Sequence, residues 1–383
     1  MERHLGIYVH VPFCLSRCSY CSFHSQTLRK GGSEAYMRAL HRELEMWEGP
    51  LLPVSTVYVG GGTPTVLPVE FLASVMAGLE RRKDLSALRE ATLEANPATV
   101  EPRGLSLLRR AGFNRLSLGV QSLHRSHLRT LGRPHGPREA HQAFTSAREA
   151  GFSRISVDLM YGIPGQSPRQ LEDDLRRVID WGAEHISLYE LTLHEGTTMA
   201  RLCAGGEVEM PGEGEIVDMH TLASGILARA GYVHYEVSSY ALGSEEISLH
   251  NSDCWSGQPY LGLGPSAHSF DGHRRRWWNL SDTAHWSSRL IEGRLPPRQA
   301  ELLSPLQRAM EMAMLGLRTA AGLSLDRVRS ETGLIPANAQ RLARWRRAGL
   351  ILRAGNSIIP TEKGMLQADG IASSIAWKAF SKD

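Results

Sequence analysis

The sequence predicts an α/β protein: a partial (β/α)6, TIM-like barrel followed by a small α+β unit that resembles a winged helix. Between residues 6 and 191, short runs rich in β-branched and aromatic residues alternate with helical stretches. Several helices are followed at once by a glycine, as at Gly112, Gly151 and Gly182, which is typical of a helix end that leads into a strand. This alternation favours a parallel sheet with right-handed crossovers.

The elements follow in order along the chain. The predicted barrel strands are residues 6–11, 55–59, 91–95, 115–120, 154–160 and 185–191. The predicted barrel helices are residues 33–47, 71–81, 101–111, 137–150 and 168–181. Beyond residue 195 the pattern changes, and the sequence predicts a loop over 196–214, a helix over 215–230 and one strand over 232–240. We therefore divide the chain into a barrel (1–195), an extension of the barrel (196–303) and a C-terminal unit (304–383).

The C-terminal unit has the order of a winged helix. Three helices, predicted over 305–317, 325–332 and 338–348, precede a hairpin of strands 350–353 and 357–360, and a last helix begins near Thr361. Several arginines on the third helix are compatible with DNA contact: Arg341, Arg344, Arg346 and Arg347. The alternative is a structural lid or docking unit. With 43 basic and 40 acidic residues the chain is nearly balanced, which argues against a nucleic-acid partner.

Composition indicates a globular protein of a reducing compartment. Apolar residues make up 42% of the chain and charged residues 22%, and no apolar run approaches the ~18 residues of a membrane span. The N-terminal residues lack the features of a signal peptide or a transit sequence. Five cysteines without an even framework are typical of a reducing environment. We expect a cytoplasmic protein and leave peripheral contact with a membrane open.

Three of the five cysteines lie within eight residues, just after the first predicted strand. Cys14, Cys18 and Cys21 form the pattern C-x3-C-x2-C. A structural zinc ion needs four protein ligands, so zinc would require a histidine in addition. Three thiolates can instead hold three irons of a [4Fe–4S] cluster and leave the fourth iron open to a ligand. The loop of a first barrel strand favours the cluster, because sites of such folds lie at the carboxyl ends of the strands.

Other polar and glycine-rich positions follow the ends of later strands. The run Gly60-Gly61-Gly62-Thr63-Pro64 ends the second strand, and glycines there allow backbone to approach a ligand closely, although a plain turn is the alternative. Carboxylates suit ribose hydroxyls, and a guanidinium suits a carboxylate. Glu94, Gln121 and Asp158 are expected at the same face of the barrel as the cysteine loop, and Arg133 joins them as a further candidate.

These motifs together resemble the radical S-adenosylmethionine (SAM) family, and within it the relatives of the anaerobic coproporphyrinogen III oxidase. The cysteine motif with Tyr20 before its last cysteine, and the GGGTP run after the second strand, carry the resemblance. It implies a [4Fe–4S] cluster on Cys14, Cys18 and Cys21 and a SAM molecule whose amino and carboxylate groups chelate the open iron. The implied SAM-contact residues are Tyr8, Tyr20, Gly61, Gly62, Thr63, Glu94, Gln121, Arg133 and Asp158.

Two features separate the oxidase from the heme chaperones of the same family. The oxidase carries a fourth cysteine two residues after the third, where this chain has Phe23. The chaperones carry an HNxxYW motif, and here His250, Asn251 and Trp255 match it while Cys254 replaces the tyrosine. The resemblance implies His250 as a ligand of heme iron, with Cys254 either a neutral replacement or a competing thiolate. The stretch could also be a loop around a buried tryptophan.

The resemblance therefore implies a heme chaperone that hands heme to respiratory proteins, with heme, SAM and the cluster as bound groups. In this interpretation the cluster and SAM have a structural or regulatory role, and the protein is a monomer or a homodimer. The alternative is an enzyme, a radical SAM oxidase that decarboxylates coproporphyrinogen III. The short stretch before the first strand, Phe23 and the His250 motif favour the chaperone.

Overall fold

The computed structural model of the chain describes residues 4–29, 31–46 and 52–380. Six parallel strands form the predicted partial barrel: β1 (Leu5–Val11), β2 (Val54–Gly61), β3 (Glu90–Ala95), β4 (Arg115–Gln121), β5 (Arg154–Tyr161) and β6 (His185–Glu190). The helices that connect them are α1 (Glu34–Met46), α2 (Val69–Arg82), α3 (Pro102–Arg110), α4 (Arg125–Leu131), α5 (Pro137–Glu149) and α6 (Pro168–Asp180). The prediction of an α/β barrel is confirmed. Trp47, predicted as the last residue of the first helix, lies outside the described residues.

The barrel strands are buried because helices cover one face and the barrel interior covers the other. Six of the seven residues of β1 are buried. Strands buried on both faces contain near-continuous apolar runs, as Ile7, Val9 and Val11 do here. Helix starts are fixed locally: the Ser167 hydroxyl accepts a hydrogen bond from the Gln170 N–H at the start of α6.

The segment after the barrel adds strands to both edges of the same sheet. Its helices are α7 (Thr198–Ala204), α8 (Glu213–Arg229), α9 (Leu249–Trp255) and α10 (Thr283–Ile291). Its strands are β7 (Val233–Glu236), β8 (Ser239–Ala241), β9 (Tyr260–Leu263), β10 (His268–Phe270), β11 (Arg275–Asn279) and β12 (Arg298–Leu302). The resulting twelve-stranded sheet has the order β12-β11-β10-β9-β1-β2-β3-β4-β5-β6-β8-β7. β9 pairs with β1 in parallel, and β10 to β12 continue as an antiparallel meander.

Two expectations for this segment are wrong. The stretch 196–214, expected as a loop, contains α7, which begins where the Thr197 hydroxyl accepts a hydrogen bond from the Ala200 N–H and which buries Met199. The single strand expected over 232–240 is a hairpin of β7 and β8. The chain reverses there without glycine or proline, and the Ser238 N–H donates to the Glu236 carboxylate at 3.2 Å.

The C-terminal unit has the predicted winged-helix-like order. Its helices are α11 (Pro305–Gly316), α12 (Leu325–Thr332), α13 (Ala339–Arg347), α14 (Glu362–Met365) and α15 (Ala368–Ser373). Its strands are β13 (Leu323–Ser324), β14 (Leu334–Pro336), β15 (Ile351–Ala354), β16 (Ser357–Pro360) and β17 (Trp377–Ala379). A separate apolar core holds it together around Ala313, Val328 and Ile358. Within the described residues, no helix combines the length and apolar character that crossing a membrane requires.

Buried carboxylates join the extension to the barrel. Glu43 of α1 accepts hydrogen bonds from the Gly264 N–H at 2.7 Å and the Asn279 amide at 2.8 Å, which fixes the strands beyond β9. Glu90 of β3 accepts from the backbone N–H groups of Leu249 and His250, each at 3.0 Å. Since both carboxylates are fully buried, these hydrogen bonds determine where β11 and α9 lie.

Candidate functional site

The cysteine loop leaves the carboxyl end of β1 and opens into a cavity of about 360 Å³. The cavity is lined by all three cysteines of the motif: Cys14, Cys18 and Cys21. The loop is held at Ser19, whose N–H donates to the Leu131 carbonyl at 3.0 Å and whose carbonyl accepts from the Met199 N–H at 2.8 Å. Leu131 ends α4 and Met199 belongs to α7, so two short helices hold the loop that carries the thiols.

The environment of the thiols suits a bound metal group. Burial raises the pKa of the Cys14 and Cys21 thiols, so protons stay on these sulfurs unless a metal displaces them. The Arg133 Nη1 donates to the Cys18 Sγ at 3.3 Å, which places a positive charge against the loop. A positive charge beside the sulfurs favours their thiolate form, the form that binds iron.

The spacing of the sulfurs argues against a single zinc ion. Among the described residues, the one group of three or more histidine, cysteine or carboxylate ligand atoms within 4.8 Å of one another is His124, Asp173 and Asp174. The three cysteine sulfurs are therefore spread more widely than that limit. One zinc ion with bonds of about 2.3 Å would hold its sulfurs closer together. Thiolates that are farther apart are compatible with a cluster, in which each binds a different iron.

The glycine run after β2 packs directly on the cysteine loop. The Gly62 N–H donates to the Val11 carbonyl at 2.7 Å, and the Thr63 N–H donates to the Phe13 carbonyl at 2.6 Å. A Cβ atom at Gly62 would lie 2.5 Å from the Phe13 oxygen, and one at Gly61, where φ is +109°, would lie 2.5 Å from the His10 ring. Only glycine fits at these two positions, and Gly61, Gly62 and Thr63 all line the cavity.

Glu94 stands at the end of β3 and faces the same cavity. Its Oε1 accepts from the Tyr58 hydroxyl at 2.6 Å and its Oε2 accepts from the Gly61 N–H at 3.0 Å. Burial, reinforced by the charge of Asp158, raises the pKa of Glu94 to about 7, although the hydrogen bonds from Tyr58 and Gly61 oppose the rise. The carboxylate is thus held in one orientation and titrates near neutral pH.

Asp158 and Gln121 come from the ends of the neighbouring strands β5 and β4. Burial raises the pKa of Asp158, and the Ser117 hydroxyl, 3.0 Å from its Oδ2, works against that rise. Gln121 has a φ of +69°, at the point where the β4–β5 register shifts after Gly119. A non-glycine residue in this region is strained, and such strain is concentrated at binding and catalytic sites.

Arg133 offers an unused donor to the cavity. Its Nη2 donates to the Gly119 carbonyl, and its Nε, although buried, has no hydrogen-bond partner among the described residues. Burial acts to lower the pKa of Arg133, but the neighbouring Tyr20 and Cys18 raise it, so the side chain is a cation. An unpaired buried donor is costly, and a ligand carboxylate would satisfy it.

The structure brings together all but two of the predicted site residues. The residues that line the one cavity are Cys14, Cys18, Tyr20, Cys21, Gly61, Gly62, Thr63, Glu94, Gln121, Arg133 and Asp158. Tyr8 lies in an adjacent cavity of about 580 Å³, with its hydroxyl 2.9 Å from the His10 Nδ1. The two cavities share part of their lining, including Phe23 and Glu94.

The structure places His250 inside the barrel, away from both cavities. The side chain is 5% exposed, its Nδ1 lies 2.9 Å from the Thr56 hydroxyl, and its ring stacks on Tyr58 with centroids 5.1 Å apart. Burial lowers the pKa of His250 to about 4, so the imidazole is neutral.

Burial also raises the pKa of Cys254 to about 12, which disfavours a thiolate. Trp255 lines a third cavity, of about 1270 Å³, that α9 shares with the C-terminal unit.

Sequence reasoning missed Tyr58 and Ser117, which orient the two carboxylates of the cavity. Both are polar side chains within largely buried strands. That signal was present in the sequence, because a polar group at a buried strand position needs a partner. The identity of the partner depends on the register between strands, which a single sequence does not give.

Comparisons with known proteins agree with this geometry. Residues 8–178 match the model of the Radical SAM superfamily, and residues 303–366 match the HemN C-terminal domain. The chain is 34% identical to the heme chaperone HemW of Mycobacterium tuberculosis, over 97% of this chain and 94% of that protein. It is 33% identical to the heme chaperone HemW of Bacillus subtilis, over 94% of this chain and 96% of that protein.

The solved structure of coproporphyrinogen III oxidase (HemN) from Escherichia coli, described as a radical SAM enzyme, is also similar. It matches with a TM-score of 0.80 and 25% identity, over 97% of this chain and 90% of that chain. Membership of the radical SAM superfamily implies a [4Fe–4S] cluster and SAM, and the thiols, the glycine run and the free Arg133 donor fit these groups. By sequence shared over nearly its whole length, the chain belongs to the HemW family of the radical SAM superfamily.

Proposed function

We propose that this protein is a heme chaperone that binds heme and transfers it to heme-dependent respiratory proteins, and that it carries a [4Fe–4S] cluster with SAM. The observation that carries the proposal is the 34% identity, over 97% of the chain, to a protein named as a heme chaperone. Phe23, at the position where the oxidase branch of the family has a fourth cysteine, supports it further.

The cavity at the barrel mouth would hold the cluster and SAM. Cys14, Cys18 and Cys21 would ligate three irons, and a bound cluster would supply an electron and an iron open to SAM. We assign the remaining residues as follows. Gly61, Gly62 and Thr63 would bind the SAM amino group, Arg133 the carboxylate, and Glu94 and Asp158 the ribose hydroxyls, with Tyr8, Tyr20 and Gln121 as further contacts.

For heme iron, the family resemblance points to His250. In this fold the imidazole lies between Thr56 and Tyr58, so ligation by His250 requires α9 to move away from β2 and β3. The raised pKa of Cys254 makes it the weaker ligand candidate. The assignment of His250 therefore stays a prediction that depends on such a movement.

Heme titration of anaerobically reconstituted protein tests the proposal. We expect the wild-type protein to develop a Soret band and to pass heme to an apo-respiratory heme protein. His250→Ala and Cys254→Ala variants report the ligand: a band lost only in the first assigns His250, and a band lost only in the second assigns Cys254. The absence of any Soret band in the wild-type protein would contradict the chaperone function.

The second candidate function is that of an oxygen-independent coproporphyrinogen III oxidase, which the TM-score of 0.80 to HemN favours. Incubation of the reconstituted protein with SAM, a reductant and coproporphyrinogen III separates the two. A chaperone leaves the porphyrinogen unchanged, whereas protoporphyrinogen formation would establish the oxidase.

Partners and location follow from the same proposal. We infer that the protein acts in the cytoplasm at the membrane surface, where it would deliver heme to respiratory proteins. We also infer that it is a monomer or a homodimer. Five free cysteines are compatible with a reducing compartment. We also retain the division into a barrel (1–195), an extension (196–303) and a C-terminal unit (304–383), which the continuous main sheet and the separate C-terminal core support.

A further inference from the structure

The C-terminal unit carries the excess of positive charge in this chain. Residues 304–383 contain twelve basic and six acidic residues, whereas acidic residues outnumber basic ones in the rest of the chain. The two parts of the chain therefore have net charges of opposite sign at neutral pH. Such an asymmetry indicates that the basic part contacts an anionic partner, a membrane or a nucleic acid.

Five arginines of the unit have no carboxylate of their own. The other four arginines are each paired with one: Arg308 and Arg327 with Glu331, Arg318 with Asp369, and Arg329 with Asp326. No ion pair within the described residues involves the remaining five, which are Arg341, Arg344, Arg346 and Arg347 of α13 and Arg353 of β15. The positive charge that stays unneutralised is therefore concentrated on one helix and the strand that follows it.

The arginines of α13 face away from the core. Leu342 is buried, and Trp345 packs on the apolar core of the unit. Because positions three residues apart lie on one helical face, Arg341, Arg344 and Arg347 form a stripe on the opposite side. All three side chains are exposed. The helix contains no acidic residue, so nothing within it neutralises the stripe.

The strand after α13 adds an exposed apolar side chain. β15 packs against α13, and two of its consecutive residues, Leu352 and Arg353, are exposed. Leu352 is 56% exposed, although it belongs to a strand. Guanidinium groups beside an exposed apolar side chain are typical of surfaces that lie in the headgroup region of a membrane. There the cations meet lipid phosphates, and the apolar group reaches the boundary of the acyl chains.

The structure disfavours a nucleic acid as the partner of this face. A recognition helix lies in the major groove with its N-terminal residues against the bases. Here the chain that leads into β17 covers the N-terminal end of α13. The Asn338 Nδ2 donates to the Ser374 carbonyl at 2.8 Å, and the Asn338 Oδ1 accepts from the Ala376 N–H at 3.2 Å. The Arg341 Nη1 donates to the same Ser374 carbonyl at 3.2 Å. The stripe therefore suits a flat anionic surface better than a groove.

We propose that the C-terminal unit is the membrane contact of this protein, in which Arg344, Arg347 and Arg353 bind the phosphates of anionic lipids and Leu352 enters the headgroup region. The inference rests on the proposed function, because a chaperone that delivers heme to respiratory proteins works where those proteins are embedded. Binding of this kind is peripheral and requires no membrane-crossing helix.

The test is co-sedimentation of the full-length, cluster-reconstituted protein with vesicles of phosphatidylcholine alone and of phosphatidylcholine with phosphatidylglycerol. We expect binding to the anionic vesicles alone, and a decline in that binding as salt screens the charges. An arginine near an anionic surface contributes roughly fivefold to binding, so the double variant Arg344→Gln/Arg347→Gln should bind about 25-fold more weakly. Leu352→Ala should weaken binding several-fold and leave its salt dependence unchanged.

The matched control removes the same charge from the barrel. Arg103 and Arg110 are exposed on α3, and the double variant Arg103→Gln/Arg110→Gln should bind the anionic vesicles as the wild-type protein does. Equal far-UV circular dichroism and equal iron content across the variants exclude misfolding as the cause of a loss.

The outcomes separate this inference from the proposed function. A wild-type protein that does not bind the anionic vesicles overturns the inference, and so does an Arg344→Gln/Arg347→Gln variant that binds them as well as the control. Tighter binding to a DNA or RNA duplex than to the vesicles, lost in the same variant, also overturns it and assigns the face to a nucleic acid. Heme titration of the same samples reports on the chaperone: a Soret band without vesicle binding leaves the proposed function in place, whereas vesicle binding without a Soret band removes that function and leaves the membrane contact.

Discussion

The Tyr58 hydroxyl donates a 2.6 Å hydrogen bond to the Oε1 of Glu94. The Tyr58 ring also stacks on the His250 ring, with the two centroids 5.1 Å apart. The Tyr58 side chain therefore contacts both a carboxylate of the proposed SAM site and the histidine of the proposed heme motif. Because Tyr58 lies between them, a change at this ring should affect the SAM site first, through the carboxylate that it orients.

The Tyr58→Phe variant should bind SAM about tenfold more weakly at pH 7, because a hydrogen bond to a charged group contributes roughly 1.5–3 kcal/mol. The hydroxyl lowers the pKa of Glu94, so its loss should raise that pKa above about 7 and leave less carboxylate for the ribose hydroxyls. SAM affinity, measured by equilibrium dialysis on the reconstituted protein, should recover as pH rises above 8. Tyr232→Phe, at a buried tyrosine that lines neither cavity, is the control. Equal affinities for the two variants would remove Tyr58 from the site.

The stability of the cluster-free protein should depend on Glu94 between about pH 4.5 and pH 7. Burial raises its pKa from 4.5 to about 7 in the folded state. A carboxyl with a raised folded pKa stabilises the fold fully below its unfolded pKa, and that contribution is lost as pH rises through the folded pKa. The shift corresponds to about 3 kcal/mol. Urea unfolding of wild-type and Glu94→Gln proteins across this range should show the decline in the wild type and a flatter profile in the variant.

The barrel and the residues at its mouth could be predicted because both depend on local pattern. Alternating strands and helices fix a parallel sheet, and parallel strands bring their carboxyl ends to one edge. Glu94 and Asp158 meet in one cavity for that reason. The cysteine motif is informative by itself, since its spacing suits few kinds of site.

What could not be predicted depends on contacts distant in sequence. α4 and α7 have seven residues each, too short for a clear helical period, yet they hold the cysteine loop through Ser19. The burial of His250 follows from Glu90, 160 positions earlier in the chain, which accepts its backbone N–H. The alignment of Tyr58 with Glu94 depends on the register between β2 and β3. None of these pairings has a signature in a single sequence.

The Arg133→Lys variant should bind SAM at least about tenfold more weakly and retain its cluster. A lysine keeps the charge but loses the planar group that leaves Nε free while Nη2 donates to the Gly119 carbonyl. Loss of a charge-assisted hydrogen bond costs roughly 1.5–3 kcal/mol. SAM binding and iron per chain should be measured together. Arg129→Lys, exposed on α4, is the matched control and should equal the wild type. Wild-type SAM affinity in Arg133→Lys would exclude a carboxylate contact at this side chain.

The Gly62→Ala variant should lose cluster iron, because the glycine run and the cysteine loop leave no space for a methyl group. The added Cβ would lie 2.5 Å from the Phe13 carbonyl oxygen and 3.0 Å from the Cys14 Sγ. The oxygen belongs to the backbone that leads into the cysteine motif, so relief of the clash must displace Cys14. Overpacking of this kind costs about 1–3 kcal/mol. Gly214→Ala, in α8 with no heavy atom within 4 Å of its Cβ position, is the control and should keep full iron content. The measurement is iron and sulfide content of both variants after identical reconstitution. Equal content would mean that the loop accommodates the methyl group. The close packing of Gly62 on Cys14 would then not be required to hold the cluster.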